Sequence, residues 1–157
     1  MPKVVLFQPQ IPPNTGNIAR TCAATKTELH LIGPLGFEIS DRQLKRAGLD
    51  YWPYVDLHNY HHWEDFIPQQ NSQGGRLIAF SVRGKVCYSQ FAFQANDWLV
   101  FGRETSGLPS EIMALCDETV YIPIAEPKVR SLNLSVSVAI GLLEAQRQLH
   151  CPSSSTI

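Results

Sequence analysis

The stretch Trp98–Pro109 reads WLVFGRETSGLP. Its opening residues are bulky and apolar, which suits a strand buried on both faces, so Trp98–Gly102 is assigned as one. Phe101–Pro109 then forms a loop in which Gly102 and Gly107 flank the charged pair Arg103 and Glu104. Gly102, at the strand end, lets a ligand approach the backbone closely. Pro109 suits the first turn of a helix over Pro109–Cys116, where the N–H that proline lacks would go unpaired anyway. Strand, loop and helix in this order are the repeating half of a βαβ unit.

The same alternation extends in both directions. Lys3–Gln8 (KVVLFQ), Leu29–Ile32, Leu77–Val82 (LIAFSV) and Thr119–Ile124 (TVYIPI) are apolar, β-branched runs of strand length. Ile18–Thr25 is Ala-rich and helical, after turn chemistry in Ile11–Asn17 (IPPNTGN). Asp41–Ala47 (DRQLKRA) reads as a polar helix between the N-cap Ser40 and the stop Gly48. Trp63–Gln69 reads as a helical turn, and Leu134–Leu149 as a long closing helix. Tyr51–Trp63 (YWPYVDLHNYHHW) is aromatic and fits no pattern. Strands separated by helices predict right-handed crossovers and an α/β fold, a parallel sheet flanked by helices. One domain over residues 1–150 is expected, with a Pro- and Ser-rich tail over 151–157 (CPSSSTI).

Composition narrows the function. Hydrophobic residues make up 44% and charged residues 17% of the 157 positions, a charged share below the usual quarter that suits a surface partly covered by a second subunit. The formal charge is 13 − 14 = −1, so no global field argues for nucleic acid. The uncharged run Ser131–Leu143 carries Asn133 and three serines and is no membrane span. MPKVVLFQPQ is too short and too soon polar for a signal peptide, so the cytoplasm is the expected compartment. Cys22, Cys87, Cys116 and Cys151 form no CxxC pair and read as idle thiols.

Parallel α/β sheets bind ligands in the loops beyond the C-terminal strand ends. The informative loops therefore follow Gln8, Val82, Gly102 and Ile124. In the first, QPQIPPNTGNIAR, Asn14 and Thr15 can cap the helix that follows, and Arg20 falls in that helix's first turn. A cation there opposes the helix dipole, which marks Arg20 for a phosphate or hydroxyl contact. In the last, IPIAEPKVRSLN, Lys128 and Arg130 concentrate positive charge just ahead of Ser131 and Asn133, either of which can cap the final helix. That helix alternates Ser135, Ser137, Ala139 and Gly141 with large apolar residues, the pattern of a close-packed subunit seam. His58, His61 and His62 lack a matching Cys or carboxylate spacing and read as a polar surface turn. Tyr51, Trp52 and Tyr54 read as core or interface aromatics. Arg42, Lys45 and Arg46 share one helical face, either solvated or in contact with phosphate. No GxGxxG occurs, which tells against a nicotinamide enzyme.

Taken together, PPNTGNIAR, FGRETSGLP and IPIAEPKVRSLNLSVSVAIGLLEAQRQL resemble the three motifs, in order, of the SPOUT methyltransferases, the trefoil-knot α/β class. LKRAGLDYW further resembles the small subgroup that 2′-O-methylates the wobble cytidine or uridine of leucine tRNAs. The resemblance spans residues 3–149. It implies a deep C-terminal knot, S-adenosylmethionine as methyl donor, tRNA as substrate, a homodimer packed through the first and last helices, and no metal. It also implies a cofactor site at Phe80, Gly102, Glu104, Gly107, Ile122, Ser131, Leu132 and Asn133, and catalytic positions at Arg20, Arg130 and Asn14.

The implied chemistry is sound. A ribose hydroxyl is a poor nucleophile and needs a group that removes its proton or stabilises the developing alkoxide. The Arg20 guanidinium stays protonated, so stabilisation is the role its chemistry allows. Two alternatives remain open at this point: a knotted methyltransferase acting on another RNA such as rRNA, and a cofactor-binding RNA-binding protein without turnover.

Overall fold

The computed structural model describes residues 1–40, 42, 46 and 50–150. The expected helix Asp41–Ala47 and its stop Gly48 lie outside the described residues, apart from Arg42 and Arg46, which are helical and exposed. The tail 151–157 also lies outside them. Seven strands are present: β1 (Lys3–Phe7), β2 (Leu29–Ile32), β3 (Leu57–Tyr60), β4 (Leu77–Phe80), β5 (Val86–Cys87), β6 (Trp98–Phe101) and β7 (Glu118–Tyr121). The α-helices with defined bounds are α1 (Pro12–Thr25), α2 (Trp63–Gln73), α3 (Ser110–Leu115) and α4 (Leu134–His150), and a 3₁₀ turn spans Trp52–Tyr54.

All pairings are parallel, in the order β3-β2-β1-β6-β4-β7-β5. The central strands β1, β6 and β4 are buried along their whole length, which is why their sequences are continuous apolar runs rather than alternating ones, whereas β7 is buried only at Val120. One sheet face packs Ile18, Ala19 and Cys22 of α1 and Leu134, Val138, Leu142 and Ala145 of α4 against Val4, Leu6, Phe80, Leu99 and Phe101. The other face packs Trp63 and Phe66 of α2 and Ile112 of α3 against Val5, Phe7, Ala79, Trp98 and Val100. Chain order leaves the centre of the sheet in both directions, so β1 and β6 form the switch point. The loops after β1, β4, β6 and β7 come from adjacent strands and meet at one edge.

Several expectations are corrected here. The first helix begins at Pro12, not Ile18, with prolines in its first two positions, where the missing N–H groups cost nothing. Arg20 is therefore two turns into α1, and the argument from an opposed helix dipole does not hold for it. Asn14 and Thr15 are buried inside α1 instead of capping it. The unassigned aromatic stretch contains β3, an edge strand, and His58 lies on that strand rather than in a surface turn. The short edge strand β5 was not anticipated, and α2 runs past Gln69 to Gln73 in spite of Pro68.

Gly141 is also reassigned. A Cβ there would lie 2.6 Å from Phe80 Cζ and 3.3 Å from Phe101 Cζ. Its small size lets α4 settle onto the stacked Phe80–Phe101 pair (centroids 4.5 Å apart) within the chain, so Gly141 lies against the sheet rather than in an outward-facing seam. The outward face of α4 instead presents exposed Val136 and Leu143.

Candidate active site

The loops after β4, β6 and β7 enclose a cavity of about 260 Å³ at the C-terminal edge of the sheet. Its apolar wall is Phe80, Phe101, Leu108, Ile122, Ile124 and Leu134, and its polar rim is built from Ser81, Arg83, the 102–107 loop, Arg130 and Ser131. Size and lining suit one small organic ligand that is largely apolar with a few fixed polar groups.

The loop after β6 turns back on itself, with Arg103 and Gly107 exchanging backbone hydrogen bonds of 3.2 and 2.9 Å. Gly107 adopts φ +68°, a conformation that favours glycine. Gly102 is required for a different reason: a Cβ on it would sit 2.2 Å from the backbone of Gly107 and Leu108. The Glu104 carboxylate accepts from the backbone N–H of Gln10 (2.8 Å) and Ile11 (3.0 Å), the residues that lead into α1. It thereby serves the start of α1, which has no side-chain cap of its own. Arg103 donates to Gln8 Oε1 and lies over the Phe7 ring, and the Thr105 hydroxyl donates to Gln10 Oε1 at 2.7 Å. These contacts bind the loop after β6 to the loop after β1. On the opposite side, Arg83 donates to the Leu108 carbonyl (3.1 Å) and to Ser110 Oγ (3.3 Å).

The segment after β7 is organised by Asn133. Its Oδ1 accepts from the N–H of Ser135 (2.9 Å) and of Val136 (3.4 Å), so Asn133 caps α4. Its Nδ2 donates to Asn14 Oδ1 at 3.0 Å, joining the starts of α1 and α4 across 119 residues of sequence. Arg130 and Ser131 are exposed at the cavity mouth.

Eight positions singled out from sequence therefore line the cavity: Phe80, Gly102, Glu104, Gly107, Ile122, Arg130, Ser131 and Leu132. Asn14 and Asn133 form a pair outside its lining. Arg20 lies apart on the exposed face of α1, its guanidinium 4.8 Å from the centroid of the Tyr51 ring. Sequence reasoning missed Gln8, Gln10, Arg83 and Arg103 as the groups that brace these loops. The position of Gln8 at the end of β1 was the available signal, whereas its partners come from distant sequence. Cys22, Cys87 and Cys116 are free, and burial pushes the thiols of Cys22 and Cys116 up to about 12, which makes them poor nucleophiles.

Residues 1–143 match the model of the SpoU rRNA Methylase family. A protein of Synechocystis sp., provisionally named tRNA (cytidine(34)-2′-O)-methyltransferase, is 60% identical over 95% of this chain and 97% of its own. The Yersinia pestis tRNA (cytidine(34)-2′-O)-methyltransferase is 45% identical over 98% of each chain. A solved structure concerned with the 2-OH methylation of C/U34 on tRNA superposes with a TM-score of 0.91 at 49% identity, covering 96% of this chain and 97% of that one. An AdoMet-bound rRNA methyltransferase from Sinorhizobium meliloti superposes with a TM-score of 0.85 at 28% identity, covering 97% of this chain and 57% of the other.

Proposed function

We infer the activity from a premise that stands on its own: the chain belongs to the SpoU rRNA methylase family. Within it, the chain is a tRNA methyltransferase that transfers a methyl group from S-adenosylmethionine to the ribose 2′-hydroxyl of cytidine or uridine 34, in leucine tRNAs. The observation that carries this reading is the braced cavity at the switch point, in a chain similar along nearly its whole length to proteins named for position 34.

The lining fits the cofactor. Phe80, Leu108, Ile122 and Leu134 offer apolar surface for a purine, and the Gly102–Gly107 turn gives close access to backbone donors and acceptors. When bound, S-adenosylmethionine supplies a methyl group already activated on sulfonium. What remains for the chain is positioning and charge. Phe80, Gly102, Glu104, Gly107, Ile122, Ser131 and Leu132 would hold the donor, with Asn133 setting the loop behind them. Arg130 at the mouth would meet the RNA backbone, and Asn14, bonded to Asn133, would hold α1 in register with that mouth. Arg20, outside the cavity lining of its own chain, would stabilise negative charge developing on the 2′-oxygen at the partner protomer's cavity in the homodimer, a role suited to a permanently charged planar cation. The guanidinium stacked on Tyr51 is exposed and free to meet RNA.

The reading includes a homodimer and a knotted C-terminal region in the cytoplasm. The exposed apolar side chains Val136 and Leu143 on α4, a helix that lies beside α1, support the dimer. The knot is supported by the closed 102–108 turn and by the segment after β7 lining the same cavity. Among the described residues no helix is long and apolar enough to cross a membrane. The test is incubation with S-adenosylmethionine and either tRNA transcripts or rRNA fragments, followed by nucleoside mass spectrometry. A 2′-O-methylated nucleotide at position 34 is expected. Methylation confined to an rRNA fragment would replace the tRNA reading with the rRNA one.

A further inference from the structure

At the opposite end of the sheet the sequence repeats itself: Glu28-Leu29-His30 precedes and enters β2, and Asp56-Leu57-His58 precedes and enters β3. The two strands are parallel, and His30 is in register with His58. Alternate residues of a strand share a face, so each acidic residue falls on the side of the histidine two positions later. The imidazoles stack with centroids 4.5 Å apart and planes 11° from parallel. Glu28 Oε2 lies 3.2 Å from His30 Nε2 and 4.0 Å from His58 Nε2, and Asp56 Oδ1 lies 2.9 Å from His58 Nε2. One donor atom each from Glu28, His30 and His58 falls within 4.8 Å of the others.

Two further observations point to a ligand. His58 Nε2 is buried and makes no aligned hydrogen bond, although carboxylate oxygens of Asp56 and Glu28 lie 2.9 and 4.0 Å from it, so this atom is a donor without a settled partner. His30 Nδ1 is 3.0 Å from the Tyr60 hydroxyl, an outer partner of the kind that fixes the ring of a metal-ligating histidine.

We propose that Glu28, His30 and His58, with Asp56 as a fourth donor, bind a divalent transition-metal ion of the zinc type. Two neutral imidazoles and two carboxylates balance a 2+ charge, and this N/O donor set suits zinc, nickel or copper. Zinc at about 2.1 Å from each donor needs donor separations of about 3.4 Å, so the pair at 3.2 Å already fits and the half-exposed His58 and Glu28 rotate inward. In the metal-free chain the His30 Nε2–H donates to Glu28. On binding, the ring changes tautomer: Nε2 gives up its proton to solvent and Nδ1 takes one up, so that the imidazole stays neutral, Nε2 ligates, and Nδ1–H donates to the Tyr60 hydroxyl oxygen. The ion would fasten the edge strand β3 to β2. It lies at the sheet end away from the cavity and takes no part in methyl transfer.

The test uses the full chain without an affinity tag, titrated with Zn²⁺ by calorimetry and with Co²⁺ by visible absorption, with melting followed in parallel. One ion per chain and a raised melting temperature are expected. His58→Ala and Glu28→Gln, both at half-exposed positions, are each expected to weaken binding at least about tenfold, and Tyr60→Phe to weaken it less. His61→Ala, an exposed neighbour outside the cluster, is expected to bind as wild type. Absence of heat and of a cobalt spectrum would overturn the proposal. So would wild-type affinity in both ligand variants, or a thiolate-to-cobalt band placing the ion on a cysteine.

Discussion

The loops after β6 and after β7 face the same cavity and are held in opposite ways. The 102–108 loop is bonded at both ends and in the middle: to itself through Arg103 and Gly107, to the chain before α1 through Glu104 and Thr105, and to Arg83 through the Leu108 carbonyl. Among the described residues, the 122–132 segment has only local support, from the Val129 N–H to the Glu126 carbonyl and from the Lys128 N–H to Glu126 Oε1, and most of it is exposed. The first is a rigid wall whose shape precedes any ligand. The second has little holding it until Asn133, where the α4 cap begins. A site that must fix a small donor and also admit a large RNA gains from such a division. Preorganisation lowers the ordering cost on the donor side, and a loosely held edge lets the macromolecule enter.

The largest expected effect belongs to the helix that the braced loop carries. Arg20→Ala should slow methyl transfer by about a hundredfold to a thousandfold, some 2.7–4 kcal/mol in the barrier, with cofactor affinity unchanged. Single-turnover methylation at saturating cofactor, beside calorimetry with S-adenosylhomocysteine, separates the two. Arg20→Lys should recover little, because an ammonium does not reproduce the planar fork. Near-normal turnover in Arg20→Ala would remove Arg20 from the chemistry and shift attention to Arg130.

Gly102→Ala tests the rigid wall directly. The added methyl meets backbone atoms at 2.2 Å and cannot be accommodated by rotating a side chain. Overpacking of this kind costs about 1–3 kcal/mol, which should appear both as a lower melting temperature and as a cofactor affinity reduced at least about tenfold. An alanine variant with wild-type affinity would mean that the wall yields, and the contrast between the loops would fail.

Glu104→Gln probes how the wall is tied to α1. Glutamine offers one neutral oxygen, so one of the two backbone donors at Gln10 and Ile11 loses its acceptor and the other keeps only an uncharged one, for about 1–3 kcal/mol of stability. Urea unfolding measures this. A loss well above that range would show that Glu104 also supports the rest of the cavity.

How far the sequence carried the reading follows the same division. The apolar runs of β1, β4 and β6 were legible because strands buried on both faces leave a continuous signal, β7 was legible from its β-branched residues, and β4, β6 and β7 place the loops that line the cavity. Edge strand β3 was not, since its half-buried LHNY carries mixed polarity. The start of α1 was misplaced because two prolines and a glycine look like a turn, although proline is at home in a first helical turn. Gly102 was read as a point of close approach for a ligand; it lines the cavity, and the loop's own backbone at Gly107 and Leu108 is what excludes a side chain there. The pairing of Asn14 with Asn133, and of Glu104 with Gln10 and Ile11, joins residues more than 90 positions apart, and no local pattern encodes such pairs.

Lys128→Ala should have the smallest effect and is the sharpest test of the exposed loop. Among the described residues its only tie is the backbone N–H to Glu126, which alanine keeps, so the melting temperature should not move measurably. If the loop meets the phosphate backbone of the RNA, removing one cation should weaken tRNA binding modestly and equally for all sequences. The slope of log affinity against log salt should then fall by about one unit. Filter binding at several salt concentrations reads that slope. An unchanged slope would take Lys128 out of the RNA path. A lower melting temperature would mean that the 122–132 segment is held more firmly than its hydrogen bonds indicate, and would erase the difference between the two loops.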